Sequence, residues 1–119
     1  MNPFEDQKKF MQACGQTVGE VNYQQYQLYK RLIEEEFNEL KSADSSLEEL
    51  DALIDILVVT IGALHSAGFN AEGAWWEVMR SNFAKIDPIT GKVRKREDGK
   101  ILKPEGWTPP NLKPYVKND

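Results

Sequence analysis

The sequence predicts an all-α protein, a bundle of four to five helices followed by a short C-terminal hairpin and an extended tail. Apolar residues recur at intervals of three and four through the first 86 residues, which is the spacing of one face of an α-helix. Beyond residue 87 that period disappears, and turn residues and proline dominate. We therefore expect one domain over residues 1–119, with a helical core at about 4–86 and a basic hairpin and proline-rich tail at 87–119.

The first two helices are predicted from amphipathic segments at residues 4–14 and 21–43. Gly15 is expected to break the first, because glycine is a poor helix former. The second helix carries an apolar stripe at helical spacing, which we expect to face the core. That stripe consists of Tyr26, Tyr29, Leu32, Ile33, Phe37 and Leu40.

The third and fourth helices are predicted at residues 47–66 and 71–86. The polar break at 44–46 supplies an N-cap for the third helix, and Gly68 fits as its C-cap. After Ala52 the third helix is apolar nearly all round, so we expect it to be the central and most buried helix. We expect five side chains of the fourth helix to face the core: Ala74, Trp75, Val78, Met79 and Phe83.

The composition favours a cytoplasmic protein. Hydrophobic residues make up 40% of the 119 residues and charged residues 29%, an ordinary globular balance. The net charge of −4 argues against stable nucleic-acid binding. The single cysteine, Cys14, excludes an intrachain disulfide and favours a reducing compartment. The charged N-terminus lacks a signal peptide's apolar region, and the longest apolar stretch, 52–64, is too short to span a membrane.

Acidic residues concentrate where the second predicted helix meets the third. Nine carboxylates and one basic residue lie between residues 34 and 55, and most acidic runs of this kind are solvated surfaces. Four of the nine, however, lie beside apolar positions. Glu36 is on the stripe of the second helix with Glu39 three residues later, and Asp51 and Asp55 are neighbours four apart on the third. Two antiparallel helices joined by a short loop bring both pairs to one point.

Four carboxylates at a helix interface repel one another, and burying an ionised one without a partner is costly. A hard divalent cation relieves that repulsion, and carboxylate oxygens suit Mg²⁺ or Mn²⁺. A di-iron site of the E-x-x-H type is excluded, because Gly62 stands three residues before the only histidine, His65. Cys14 and His65 do not make a zinc ligand set either. His65 is therefore interpreted as a residue at a helix end.

At these residues the chain resembles the MazG-like, all-α nucleoside triphosphate pyrophosphohydrolases. Residues 35–39 match the E-E-x-x-E element of that family, and residues 55–57 match its D-x-L element. The family usually has an acid three residues before that aspartate, where this chain has Ala52. Asp51, one residue earlier, is the substitute that we assign. Glu48 and Asp51 also make a literal E-x-x-D one turn earlier. It therefore stays open whether the family's acidic pair corresponds to Asp51 and Asp55 or to Glu48 and Asp51.

The resemblance continues into the C-terminal region and covers about residues 10–112. Residues 82–85 are similar to the family's N-x-x-K element. Residues 98–110 are similar to a D-G-K-x-x-K-P…P-P ending found in bacterial and phage members.

The resemblance implies a hydrolase that cleaves a (deoxy)nucleoside triphosphate into the monophosphate and pyrophosphate. It implies Mg²⁺, with Mn²⁺ as a possible substitute, held by Glu36, Glu39, Asp51 and Asp55. The catalytic residues that it implies are Glu35, Glu36, Glu39 and Asp55, with Glu35 binding a further metal or orienting the attacking water. It also implies a homodimer or homotetramer.

The phosphate chain also needs cations from the protein. From residue 85 to residue 103 there are seven basic residues and three acids, which inverts the charge of the acidic region. Lys85 and Lys103 are the expected phosphate contacts, and Asn82 is a polar contact to phosphate or sugar. Trp107 is expected to anchor the tail and is also a candidate for stacking on a base.

Two alternatives to a nucleoside triphosphate pyrophosphohydrolase remain open at this point. One is a pyrophosphohydrolase that acts on a phosphoribosyl-nucleotide, which needs the same metal site. The other is a non-catalytic helical module that uses the acidic face to bind a metal or a partner.

Overall fold

The computed structural model describes residues 2–117, and it is helical as predicted. The α-helices are α1 (Pro3–Ala13), α2 (Tyr23–Lys41), α3 (Ser46–Ser66) and α4 (Ala71–Phe83), followed by a single 3-10 turn at Lys113–Tyr115. Across the described residues β-pairing is limited to isolated bridges. The predicted all-α class with four helices is therefore confirmed. α4 ends at Phe83 rather than Ile86, because Ile86 forms an antiparallel bridge with Val93.

The chain divides into two compact units. The N-terminal unit runs up to Ala71, includes the segment from Tyr115 and contains α1, α2 and α3. The C-terminal unit is Glu72–Pro114 and contains α4 and most of the tail. The assignment of all 119 residues to one domain stays a prediction. In the described part of the chain, no helix is long and apolar enough to cross a membrane.

In the N-terminal unit, α2 and α3 form an antiparallel helical hairpin. The start of α2 lies beside the end of α3, where the Asn22 amide donates to the Ser66 carbonyl (2.8 Å). Residues 42–45 then connect the end of α2 to the start of α3. These two helices share the most extensive packing in the protein, and α1 packs on α3. The end of α2 is thus level with the start of α3.

The cap of α3 determines where its first acid points. Ser45 is the N-cap, and its side chain accepts a hydrogen bond from the Glu48 amide (3.1 Å). In return, Glu48 Oε2 accepts from the Asp44 amide (2.7 Å). This reciprocal arrangement resembles a capping box, which satisfies backbone donors at a helix start. The Glu48 carboxylate is therefore engaged at the beginning of the helix.

The core of the N-terminal unit is small and lies where α1, α2 and α3 meet. Met11, Tyr29 and Ala63 are buried there, with partly buried side chains packed around them. α1 is joined to α3 by His65, whose Nε2 lies 2.9 Å from the Phe4 carbonyl oxygen. His65 is buried near the end of α3, which agrees with its interpretation as a helix-end residue.

The packing prediction for α3 is confirmed, and that for α4 is partly wrong. α3 contains more buried residues than any other described helix and packs on both α2 and α1. It nevertheless leaves a row of large apolar side chains between 36% and 59% exposed: Leu50, Leu53, Ile54, Leu57 and Val58. The helix is apolar on several sides, but α2 and α1 do not cover them all. The inward placement of Trp75 and Phe83 on α4 is wrong, since these rings are 52% and 56% exposed.

In the C-terminal unit the segment after α4 forms the expected hairpin without regular strands. Lys95 and Ile101 form an antiparallel bridge around the Asp98-Gly99 turn, and the Leu102 amide donates to the Arg94 carbonyl (2.8 Å).

The tail then lies on α4. Trp107 Nε1 donates to the carbonyl of the buried Ser81 (2.6 Å), and the Asn111 amide donates to Glu77 Oε2 (2.6 Å). The predicted role of Trp107 as an anchor of the tail is confirmed.

We expect this attachment of the tail to weaken in acid. Hydrogen bonds from Arg80 and from the Asn111 amide lower the pKa of Glu77 below its usual value of 4.5. A carboxyl group with a lowered pKa in the folded state contributes stability above its usual pKa, and this contribution disappears as the pH falls through the lowered value. Acidification below 4.5 is therefore expected to change the fluorescence of Trp107, measured with Trp75 and Trp76 replaced by phenylalanine.

In that background Glu77→Gln is expected to abolish this acid transition, because glutamine does not titrate. Glu72→Gln, which changes another glutamate of α4, serves as the control and is expected to retain it. An unchanged transition in Glu77→Gln would show that a different group controls the tail.

Candidate active site

The α2–α3 hairpin brings together the four acids that the sequence analysis selected. Glu36 and Glu39 lie in the last turns of α2, and Asp51 and Asp55 lie in the first turns of α3. All three of the other carboxylates act on Glu36 and raise its pKa. We call these four residues the acidic cluster.

Glu36 is the most constrained member of the acidic cluster. Its Oε2 is the one buried side-chain oxygen or nitrogen atom, among the described residues, that lacks a hydrogen-bond partner. Burial is the largest cause of the raised pKa of Glu36, followed by the Glu39 carboxyl, with which a protonated Glu36 shares a hydrogen bond, and by the charges of Glu39, Asp55 and Asp51. An unpartnered buried carboxylate oxygen is costly to maintain. The arrangement therefore favours a cationic ligand.

The protein does not supply that cation from its own side chains. Within residues 2–117 the acidic cluster forms no ion pair with lysine or arginine, and the ion pairs there join Arg80 to Glu77 and Arg96 to Asp98. Lys41, the one basic residue in this region of the sequence, has its ammonium 5.0 Å from the centre of the Phe37 ring.

The donor set of the acidic cluster fits a hard divalent cation. Carboxylate oxygens are the ligands that Mg²⁺ and Mn²⁺ prefer, and Glu36 Oε2 has no competing partner. The carboxylates are near neighbours rather than a closed coordination shell, since no three acidic, histidine or cysteine side chains of the described chain are grouped to hold a metal ion. Ligation thus requires side-chain rotation, which is available to Glu39 and Asp51 because both are exposed.

A cavity of about 240 Å³ opens beside the acidic cluster. It is lined by Glu39 and Asp51, and by Ser42, Ala43, Glu48 and Ala52. That volume far exceeds the roughly 30 Å³ that one water occupies in the liquid. The sequence analysis did not include Ser42 or Ala43, because the position of a loop residue depends on how the helices pack.

Two acids considered in the sequence analysis lie outside the acidic cluster. The carboxylate of Glu48 caps α3 instead of joining it. Glu35 is exposed on α2 and is not among the groups that act on Glu36. A catalytic role for Glu35 stays a prediction.

The expected phosphate contacts lie together in the C-terminal unit. Lys85 Nζ is 3.1 Å from Asn82 Oδ1 and 5.4 Å from the centre of the Trp107 ring. Lys103 Nζ is 4.8 Å from the same ring centre. The two ammonium groups are thus held near one indole, and neither is paired with a carboxylate among the described residues. We call these four residues the lysine–tryptophan group.

The helical fold and the acidic cluster indicate a MazG-like all-α nucleotide pyrophosphohydrolase, and comparison with known families shows this class. Residues 7–82 match the phosphoribosyl-ATP pyrophosphohydrolase family, PRA-PH. The chain belongs to this family, and it is therefore a hydrolase that acts on a phosphoanhydride bond of a nucleotide. Enzymes of this superfamily generally depend on a divalent metal ion. A search of curated proteins found no match to the chain.

Proposed function

We propose that the protein hydrolyses (deoxy)nucleoside triphosphates to the monophosphate and pyrophosphate. We further propose that the acidic cluster holds Mg²⁺, for which Mn²⁺ can substitute. The observation that carries both proposals is the buried, unpartnered Glu36 Oε2, which lies among three further carboxylates.

We assign different roles in metal binding to the residues of the acidic cluster according to their burial. Glu36 is half-buried, so we assign it as the rigid ligand. Asp55, also half-buried, is the second rigid ligand, whereas the exposed Glu39 and Asp51 close around the ion. A bound divalent cation neutralises phosphate charge and lowers the pKa of a water molecule. Glu35 orients the attacking water in this proposal.

The lysine–tryptophan group is proposed to bind the substrate. Lys85 and Lys103 bind phosphate oxygens, because ammonium groups without a carboxylate partner remain available for an anion. Asn82 orients the Lys85 ammonium and contacts phosphate or sugar. Trp107 holds both lysines near its ring.

Phosphoribosyl-ATP is a second candidate substrate, and the family match over residues 7–82 favours it. It contains the same α–β phosphoanhydride bond as ATP, so the acidic cluster serves either substrate equally. Only a direct comparison of substrates decides between them.

The decisive experiment measures pyrophosphate release with Mg²⁺ from a panel of ribo- and deoxyribonucleoside triphosphates and from phosphoribosyl-ATP. We expect release from at least one triphosphate, and a loss of at least about 100-fold in Asp55→Asn, because a removed ligand disturbs the metal on which the reaction depends. Glu49→Gln, on the same helix but outside the acidic cluster, is the control and should retain activity. Release from phosphoribosyl-ATP alone would replace the first substrate proposal, and full activity in Asp55→Asn would overturn the metal site.

We propose in addition that the protein forms a homodimer or homotetramer in the cytoplasm through the exposed apolar row on α3. Side chains of Ile54, Leu57 and Val58 line a groove of about 330 Å³ between α1 and α3. An exposed apolar surface of this kind commonly marks an interface. The single cysteine is consistent with a reducing compartment.

Light scattering after size-exclusion chromatography tests the assembly. Wild type is expected to elute as a dimer or tetramer, and Leu57→Glu as a monomer, because a buried charge disfavours an apolar interface. Tyr23→Glu, at an exposed position on α2, should leave the assembly intact. A monomeric wild type at micromolar concentration would contradict the proposal.

A further inference from the structure

A cavity of about 420 Å³ lies in the C-terminal unit, beyond the residues that match the family. It is formed by the turn after α4 and by the segment that returns from the hairpin. Its size is within the range of small-molecule sites, about 300–1,000 Å³. The cavity is open to solvent, and its lining is largely apolar, with Ile86, Pro88, Leu102 and Pro104 and the 92% exposed Ile89.

Four charged side chains also line this cavity, and two of them already have another role in the protein. Asp87 Oδ1 accepts a hydrogen bond from the Ile89 amide (2.8 Å) and so stabilises the turn. Lys85 is hydrogen-bonded to Asn82 (3.1 Å) and is already assigned to the phosphate of the hydrolysed substrate. Arg94 and Glu105 line the cavity as well, and neither side chain forms a hydrogen bond or an ion pair with another described residue. One cation and one carboxylate are thus available to a ligand.

The chemistry of these groups indicates which class of ligand the cavity binds. Apolar walls accommodate a flat ring, whereas the Arg94 guanidinium binds a phosphate. Glu105 repels phosphate but accepts a hydrogen bond from an amino group. Adenine, guanine and cytosine carry an exocyclic amino group, and uracil and thymine do not. The combination fits a nucleoside phosphate with an amino-bearing base, a class of molecule that a nucleotide pyrophosphohydrolase encounters.

We propose that this cavity is a nucleotide-binding site that prefers amino-bearing bases, with Arg94 on the phosphate and Glu105 on the base. The proposal goes beyond phosphoanhydride hydrolysis at the acidic cluster. It uses none of the acidic cluster's residues and needs no divalent metal.

Isothermal titration calorimetry of the full chain in EDTA tests the proposal, with AMP, CMP, UMP, dTMP, adenosine and pyrophosphate as separate titrants. AMP and CMP are expected to bind about tenfold more tightly than UMP and dTMP, since one hydrogen bond to a charged group is lost. Arg94→Gln should weaken AMP binding about tenfold. Glu105→Gln should reduce the preference for AMP over UMP.

Lys92→Gln and Glu97→Gln change charges of the same segment that do not line the cavity, and both should bind AMP like wild type. Circular dichroism confirms that each variant is folded. Equal affinity for AMP and pyrophosphate would identify a simple anion site and overturn the proposal. So would AMP binding that Arg94→Gln leaves unchanged, or no AMP binding in EDTA. Because the readout is binding without metal, none of these outcomes depends on whether the chain hydrolyses triphosphates.

Discussion

Gly62→Ala is expected to lower the free energy of unfolding by about 2 kcal/mol, the middle of the roughly 1–3 kcal/mol range observed for overpacked cores. A Cβ at position 62 would lie 2.2 Å from Cε1, 2.5 Å from Cδ1 and 2.7 Å from Cζ of Tyr29. The ring has little room to retreat, because Tyr29 is 5% exposed and its hydroxyl donates to Gln16 Oε1 (2.6 Å). The steric cost exceeds the roughly 1 kcal/mol that alanine gains over glycine in a helix.

Urea denaturation followed by circular dichroism measures this effect. Thr60→Ala, an exposed substitution on the same helix, is the control and should change stability little. In Tyr29→Leu the ring is absent, so adding Gly62→Ala should cost much less than it does in wild type. A Gly62→Ala protein as stable as wild type would show that α2 and α3 are farther apart than the structure places them.

This substitution should also reduce hydrolysis in the proposed mechanism. Tyr29 lies on α2 and Gly62 on α3, so their contact helps to determine the spacing of the two helices. That spacing determines how the two halves of the acidic cluster approach each other. A shift of about 1 Å at a catalytic site is enough to cost about 100-fold in rate.

Glu36→Gln is expected to abolish detectable hydrolysis and, in EDTA at neutral pH, to make the protein more stable than wild type. Burial and the charges of Glu39, Asp55 and Asp51 raise the pKa of Glu36 in the folded protein. The folded state therefore holds this proton more tightly than the unfolded state, and stability falls as the pH rises from the usual 4.5 through the raised value. Glutamine keeps the shape of the side chain and does not titrate, so the variant avoids this loss of stability at higher pH.

Thermal unfolding in EDTA and in Mg²⁺ at several pH values measures both parts of this prediction. The advantage of Glu36→Gln over wild type in EDTA should be absent in acid and grow as the pH rises. Mg²⁺ should raise the unfolding temperature of wild type and have less effect on the variant. Glu34→Gln, an exposed acid of the same helix, should behave like wild type. If Glu36→Gln were less stable than wild type in EDTA at neutral pH, the carboxylate would have a stabilising partner instead of repelling neighbours.

The selection of four acids from nine was possible from sequence because it depends on local geometry. Residues three and four apart share a face of a helix, and Glu36 follows the apolar stripe of α2. The second register, through Glu48, remained open because Glu48 and Asp51 are both near the start of α3. The structure directs the Glu48 carboxylate to the Asp44 amide, whereas the charge of Asp51 contributes to the raised pKa of Glu36. A cap and a cluster ligand are not distinguishable by spacing alone.

The sequence by itself determined the order of the helices, the ends of the first three to within about two residues, the caps of α3 and the face that each acid occupies, because these features follow from neighbours within four residues. Only the tertiary structure decided which sides of α3 are covered, that Trp75 is exposed, that Gly62 lies against Tyr29, and that Glu36 Oε2 is buried without a partner. A helix that is apolar all round has no unique buried side until other elements pack on it. The depth of burial that makes Glu36 distinctive is likewise a property of two packed helices and not of either one alone.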